Sequence, residues 1–265
     1  MSKRLDLPNC FEHLRSRVEK TLTPFVRISA EKGLTGRFDS KFGGDPYLPL
    51  GFEYPLDETG EPMKLLAQIN FGQVPSIPNF PISGILQFYL SVKDELYGSG
   101  YDDRYNQKNF RVIYFDDIQT SEKDLLTDFE FTKLSKEDVF PISSGCEARL
   151  SFTKDEEFMS LGDFRLEREC GISMNGWEAE LDDFYVKCSE SSMGHKIGGY
   201  AGFTQHDPRS EVGVLSEHTQ LLLQIDSDDN IDCSWDDAGV GNFFIREDDL
   251  KKKNFTRVFF NFDSH

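Results

Sequence analysis

Lys41-Phe42-Gly43-Gly44 recurs in this 265-residue chain as Lys196-Ile197-Gly198-Gly199. Two further blocks recur at nearly the same spacing. Leu65-Leu66-Ala67-Gln68-Ile69-Asn70 returns as Leu221-Leu222-Leu223-Gln224-Ile225-Asp226, and Gly84 to Leu90 returns more loosely as Gly239 to Ile245. Three anchors in the same order, each about 155 residues apart, point to an internal repeat, which constrains the architecture before any single element does. The expectation is an α+β fold, mostly antiparallel sheet, built from two related halves around a pseudo-twofold axis. The halves span about 37–116 and 196–263 of a single domain 1–265, with a helix and loop insert at about 117–195.

Local patterns supply the elements. Asn9 followed by Glu12 resembles a capping box, and Phe11, Leu14, Val18 and Leu22 recur at helical spacing. These predict an N-terminal helix over 10–22, ended by Pro24. Leu65 to Phe71 reads as a strand, with Leu65, Ala67, Ile69 and Phe71 on one face and Leu66, Gln68 and Asn70 on the other. Gly84 to Val92, Phe110 to Phe115, Leu221 to Asp226 and Thr256 to Phe262 are further expected strands. Within 117–195, Ser121 and Ser135 each precede an Asp by three residues and are read as weak helix starts. Lys154-Asp155-Glu156-Glu157 is read there as a solvated charged face. Glu247-Asp248-Asp249 followed by Lys251-Lys252-Lys253 has the sign order that suits a short helix.

Charge and cysteine usage bound the function. The chain carries 47 Asp and Glu against 29 Lys and Arg, a formal net charge of −18. That disfavours nucleic acid as a partner and favours cations or a basic protein partner. No stretch approaches the ~20 apolar residues of a membrane span. Met1 to Asn9 lacks the apolar run of a signal peptide. Five cysteines without a C-x-x-C pair fit free thiols in a reducing compartment, so a cytoplasmic protein is expected.

The quoted blocks, with Ser40 to Pro49 and Trp235 to Ile245, resemble the YwqG-like family of bacterial proteins. The resemblance spans most of the chain and is weakest over 117–195. It implies an α+β fold and brings no established activity, substrate or catalytic residue. Some relatives neighbour genes for secreted polymorphic toxins, which implies an immunity-like role toward a basic toxin. Where the family pattern expects Trp-Gly-Asp, this chain has Trp235-Asp236-Asp237.

Candidate sites are few. Gly43-Gly44 and Gly198-Gly199 read as turns, while Lys41 and Lys196 before them keep a ligand reading open. Gln68 with Gln224 either tie the halves together or line a groove between them. The weak ligand-binding set is Lys41, Gly43, Gly44, Gln68, Gln224 and Trp235. Counting from Asp226, oxygen-bearing residues fall at the ligand positions of a calcium loop. Ile231 nonetheless stands where glycine is needed and Asp237 where glutamate is, so only Asp226, Asp228 and Asp232 remain weak cation candidates. A hydrolase built from His206, His218 and Asp226, or on Cys146 or Cys233, lacks any catalytic motif. No catalytic residue is assigned and no cofactor is called for. The leading expectation is a non-enzymatic acidic interaction module; the alternative is a small-ligand binder or hydrolase with its site between the halves.

Overall fold

The computed structural model describes residues 5–100, 105–173, 184, 188, 191–210, 213 and 215–265. Most of the expected N-terminal segment 1–9 and part of the 117–195 stretch therefore stand inside the described residues, while 1–4 and most of 174–190 lie outside them.

Among the described residues, ten antiparallel strands form one sheet: β1 (Thr23–Lys32), β2 (Lys41–Gly43), β3 (Lys64–Asn70), β4 (Ile85–Leu90), β5 (Phe110–Phe115), β6 (Glu147–Glu157), β7 (Lys196–Gly198), β8 (Gln220–Asp226), β9 (Val240–Ile245) and β10 (Phe259–Asp263). Their order is β10-β9-β8-β7-β1-β6-β2-β3-β4-β5, curled into a nearly closed barrel. Aromatic rings bring the two ends together. Phe110 of β5 and Phe260 of β10 lie 5.6 Å apart between ring centroids, and Phe88 and Phe243 lie 4.8 Å apart. The barrel interior is one apolar cluster that draws Val26 and Ile28, Phe42, Ala67 and Ile69, Phe88, Ala148, Ile197, Leu223 and Phe243 from strands around the sheet.

The long central pair is β1 with β6, in register from Thr23 opposite Glu157 to Lys32 opposite Ala148. This corrects two expectations. Pro24 does not end a helix; it sits near the start of β1, where a proline is tolerated. The charged run 154–157 is the end of a strand, inside a stretch expected to be helix and loop. Its inward residues Ala148, Leu150 and Phe152 alternate with Arg149, Ser151 and Thr153, the period of a half-buried strand. The N-terminal helix is also shorter than expected. A 3-10 turn at Asn9–Leu14 leads into an α-turn at Arg15–Glu19, and no side chain caps the first of these. Val18, Phe11 and Leu14 still dock on the body, against Met159, Leu161 and Leu166. Ser121 heads only a three-residue 3-10 turn and makes no side-chain cap.

The recurrent blocks pair alike. Lys41 stands opposite Gln68 and Lys196 opposite Gln224. The β3–β4 ladder shifts register between Leu65 and Ala67, and the β8–β9 ladder between Leu221 and Leu223. These irregularities break the simple alternation expected for both strands. Leu65 leaves the barrel interior to pack with Met63 and Tyr89, while Leu66, Ala67 and Ile69 all join it. Leu221 is displaced in the same way, onto Phe244 and Phe259.

Candidate functional site

Opposite the barrel interior, the sheet's outer face at β2 and β3 is roofed by the segments around residues 34–37 and 122–147. Between roof and sheet lies a cavity of about 940 Å³. It is built on the first motif block and the segment after it, with no lining residue beyond Glu147. Two smaller cavities, about 660 and 260 Å³, do draw residues from both blocks. The 940 Å³ cavity is larger than these two and does not draw on the second block, whereas the alternative expectation named a groove between the halves.

Lys41, Gly43 and Gly44 line the large cavity. Gly43 and Gly44 both have positive φ, at 65° and 69°, so the chain turns sharply as β2 ends. A Cβ on Gly44 would lie 2.3 Å from Glu147 Oε2, so the glycine lets a carboxylate pass beneath the turn. Glu147 accepts hydrogen bonds from the backbone N–H and the hydroxyl of Thr35, at 3.1 and 3.0 Å. Lys41 is buried, and its Nζ donates to the carbonyl of Asp45 at 2.9 Å. Burial pulls its ammonium down to about 8, against the opposing charges of Glu147, Asp39 and Asp45. Arg37 and Lys64 share the cavity wall; burial lowers Lys64 as well.

The other expected site residues are placed elsewhere. Gln68 is fully buried, accepting from Tyr47 N at 2.7 Å and donating to the carbonyls of Arg37 and Asp39. Gln224 does the equivalent with Gly202 N and the carbonyls of Ser192 and Gly194. Each amide pins the loop beside its own strand, so neither ties one block to the other nor lines the cavity. Trp235 is sealed in the core, its ring 5.8 Å from Phe262 and 5.3 Å from Tyr97.

The acidic run 226–237 also resolves into local structure. Asp226 Oδ2 accepts from Gly194 N at 2.7 Å, while Asp228 Oδ1 caps a 3-10 turn by accepting from Asn230 N. Asp232 pairs with Lys32 at 2.6 Å. The three carboxylates are committed to different partners, and among the described residues no group of three His, Cys, Asp or Glu could hold a metal ion. His195 reads this run from the side. Its Nδ1 accepts from Asp226 N at 3.0 Å and its Nε2 lies 3.3 Å from Asp228 Oδ2; burial lowers its basicity. His218 lies just before β8 and Asp226 at its far end, with the strand's length of roughly 20 Å between its ends, so they do not form a site together. Cys233 is buried with its thiol pushed up to about 12, and burial likewise raises Cys146, leaving neither activated as a nucleophile.

Glu147, Thr35, Arg37 and Lys64 were not singled out in the sequence. The signal that was available is the strand 147–157, whose two ends place glutamates under the two glycine turns: a Cβ on Gly199 would lie 2.0 Å from Glu157 Oε1.

Residues 40–264 match the family described as a domain of unknown function, DUF1963, and the chain belongs to that family. A comparison with curated proteins finds none that matches. Among the described residues, no helix is long and apolar enough to cross a membrane.

Proposed function

We propose that the protein binds a small polar ligand in the cavity beside β2, with Lys41 as its principal recognition group. The observation that carries this reading is a buried lysine, without an ion pair among the described residues, on the wall of the 940 Å³ cavity. A charged group is held out of water only at a cost of several kcal/mol unless something compensates it. Structural lysines avoid that cost; one beside an accessible cavity of ligand size is where a ligand would restore the balance. A panel of small polar metabolites, followed by amide chemical shifts, tests the reading. Binders should move the resonances of Gly44 and Gly145. A panel that leaves both unmoved at millimolar concentration removes it.

A second reading is supported by the net charge of −18: an acidic, non-enzymatic module that captures a basic protein, in the manner of an immunity protein. Pull-down from the native cells at low and high salt checks it. One stoichiometric basic partner, lost at high salt, is expected; a clean bait at both salts counts against it. The finer architectural reading, two halves of one duplicated unit about a pseudo-twofold axis, draws support from the matched lysine–glutamine pairings and the matched register shifts. The quoted sequence blocks support the narrower YwqG-like assignment.

A further inference from the structure

Lys41 and Lys196 occupy matching ladder positions, precede matching glycine turns and are equally buried. Their counter-charges differ. Lys196 Nζ meets both oxygens of Glu157 at 3.1 Å, and Glu157 also accepts from Tyr200 N. The corresponding carboxylate beneath the first turn, Glu147, is turned to Thr35 instead. Lys41 is left with a single neutral acceptor, the Asp45 carbonyl. Its cavity neighbours are in the same condition. Arg37 Nη1 donates to Leu126 O at 2.8 Å and Lys64 Nζ to Thr132 Oγ1 at 3.3 Å, and neither makes an ion pair among the described residues. Arg37, Lys41 and Lys64 thus face one cavity without an ion pair among the described residues, although Glu147 and Asp45 share its wall.

We infer that the cavity takes a small ligand through one carboxylate or phosphate group, which pairs with Lys41 beside Arg37 and supplies the counter-charge that Glu157 supplies to Lys196. This rests on the cavity being a ligand site, as proposed above. The rim narrows the class further. Asp45, Glu122, Asp128 and Glu130 line the cavity and are exposed, and the one exposed cation with them, Lys133, is paired with Glu130, so a polyanion is repelled at the mouth while a single acid group on a compact body can reach the floor. Charge-assisted hydrogen bonds to an oxyanion are the strong kind, and Arg37 adds a planar donor pair beside the point charge of Lys41.

Calorimetric titration of the full chain with benzoate, succinate and inorganic phosphate, each alone, and with methyl benzoate as the uncharged control, tests this. At least one acid should bind saturably while methyl benzoate does not compete. Lys41→Met should weaken that acid at least tenfold, and Arg37→Met should weaken it by a smaller factor. At pH 8 the complex should take up protons, seen as heat that varies with the buffer, because an anion favours the charged lysine. Binding by the carboxylates alone or by phosphate alone names the group. Methyl benzoate binding as well as benzoate, with cavity resonances shifted by both, overturns the anion assignment and leaves the ligand site standing. Acid binding unchanged in both variants overturns the assignment as well. No binding by any of the four at the cavity overturns both.

Discussion

Two lysines at matching positions show how much a single neighbour decides. Lys196 is held by Glu157, whereas Lys41 keeps a carbonyl and a cavity. Burial pulls the Lys41 ammonium down to about 8 from the ordinary lysine value of 10.5, so it binds its proton less readily in the native chain. Below pH 8 folded and unfolded chains both carry the proton, so the penalty is complete. Between pH 8 and 10.5 the unfolded chain binds more protons, and stability rises with pH until the penalty is gone. The wild type should therefore gain on Lys41→Met by up to about 3 kcal/mol as pH goes from 7.5 to 10.5, read from urea midpoints. A difference that stays flat over that range would contradict the burial of a lysine that makes no ion pair. The glycine turns predict a second effect. Alanine at Gly199, with φ of 74° and Glu157 Oε1 2.0 Å from the new Cβ, should cost about 3 kcal/mol. Alanine at Gly51, at φ 82° with open space around it, should cost only the ~1 kcal/mol of the backbone. Equal losses at both would mean that the carboxylate does not lie under the turn.

At the scale of elements, the motif blocks were legible and the pair that joins them was not. The strands at 65–71, 84–92, 110–115 and 221–226 fall within a residue or two of β3, β4, β5 and β8, because long apolar runs bounded by glycine and proline leave little alternative. β1 and β6 went unread for a physical reason. Val26, Ile28 and Ala30 in β1 and Ala148, Leu150 and Phe152 in β6 do alternate, but each run is short and bordered by charged residues, and its burial comes from neighbours that are distant in sequence. Local propensity gives way there to tertiary pairing. The register shifts in β3 and β8 were hidden likewise, since a bulge leaves no mark in composition. If β6 is the inner strand described, Ser151→Pro removes a ladder bond opposite Ser29 and should abolish cooperative unfolding, at a cost of about 3 kcal/mol or more. A soluble variant with an unchanged melting curve would exclude that pairing. The run 226–237 looked like a cation loop because oxygen ligands can be counted along it. In the fold those oxygens accept from Gly194 and Asn230 and pair with Lys32. Millimolar calcium should leave the melting temperature unchanged; a rise of several degrees would show that these bonds yield to a metal.

Over the whole molecule, acids outnumber bases, while Arg37, Lys41 and Lys64 face the cavity without an ion pair among the described residues. The cavity was only partly legible. Lys41, Gly43 and Gly44 stood out by repetition, whereas Arg37, Lys64 and Glu147 reach the site through folding and share no spacing with them. Gln68, Gln224 and Trp235 stood out for the same reason as Lys41 and serve the loops and the core instead. The matched blocks keep the same lysine–glutamine pairing, and they differ in whether a carboxylate reaches the lysine. The Lys41 side chain reports on that directly. With ε-carbon-labelled lysine, its resonance should titrate near pH 8 in the free protein, and the midpoint should move upward with saturating benzoate or phosphate. A midpoint near that of an exposed lysine, unmoved by either anion, would contradict the account.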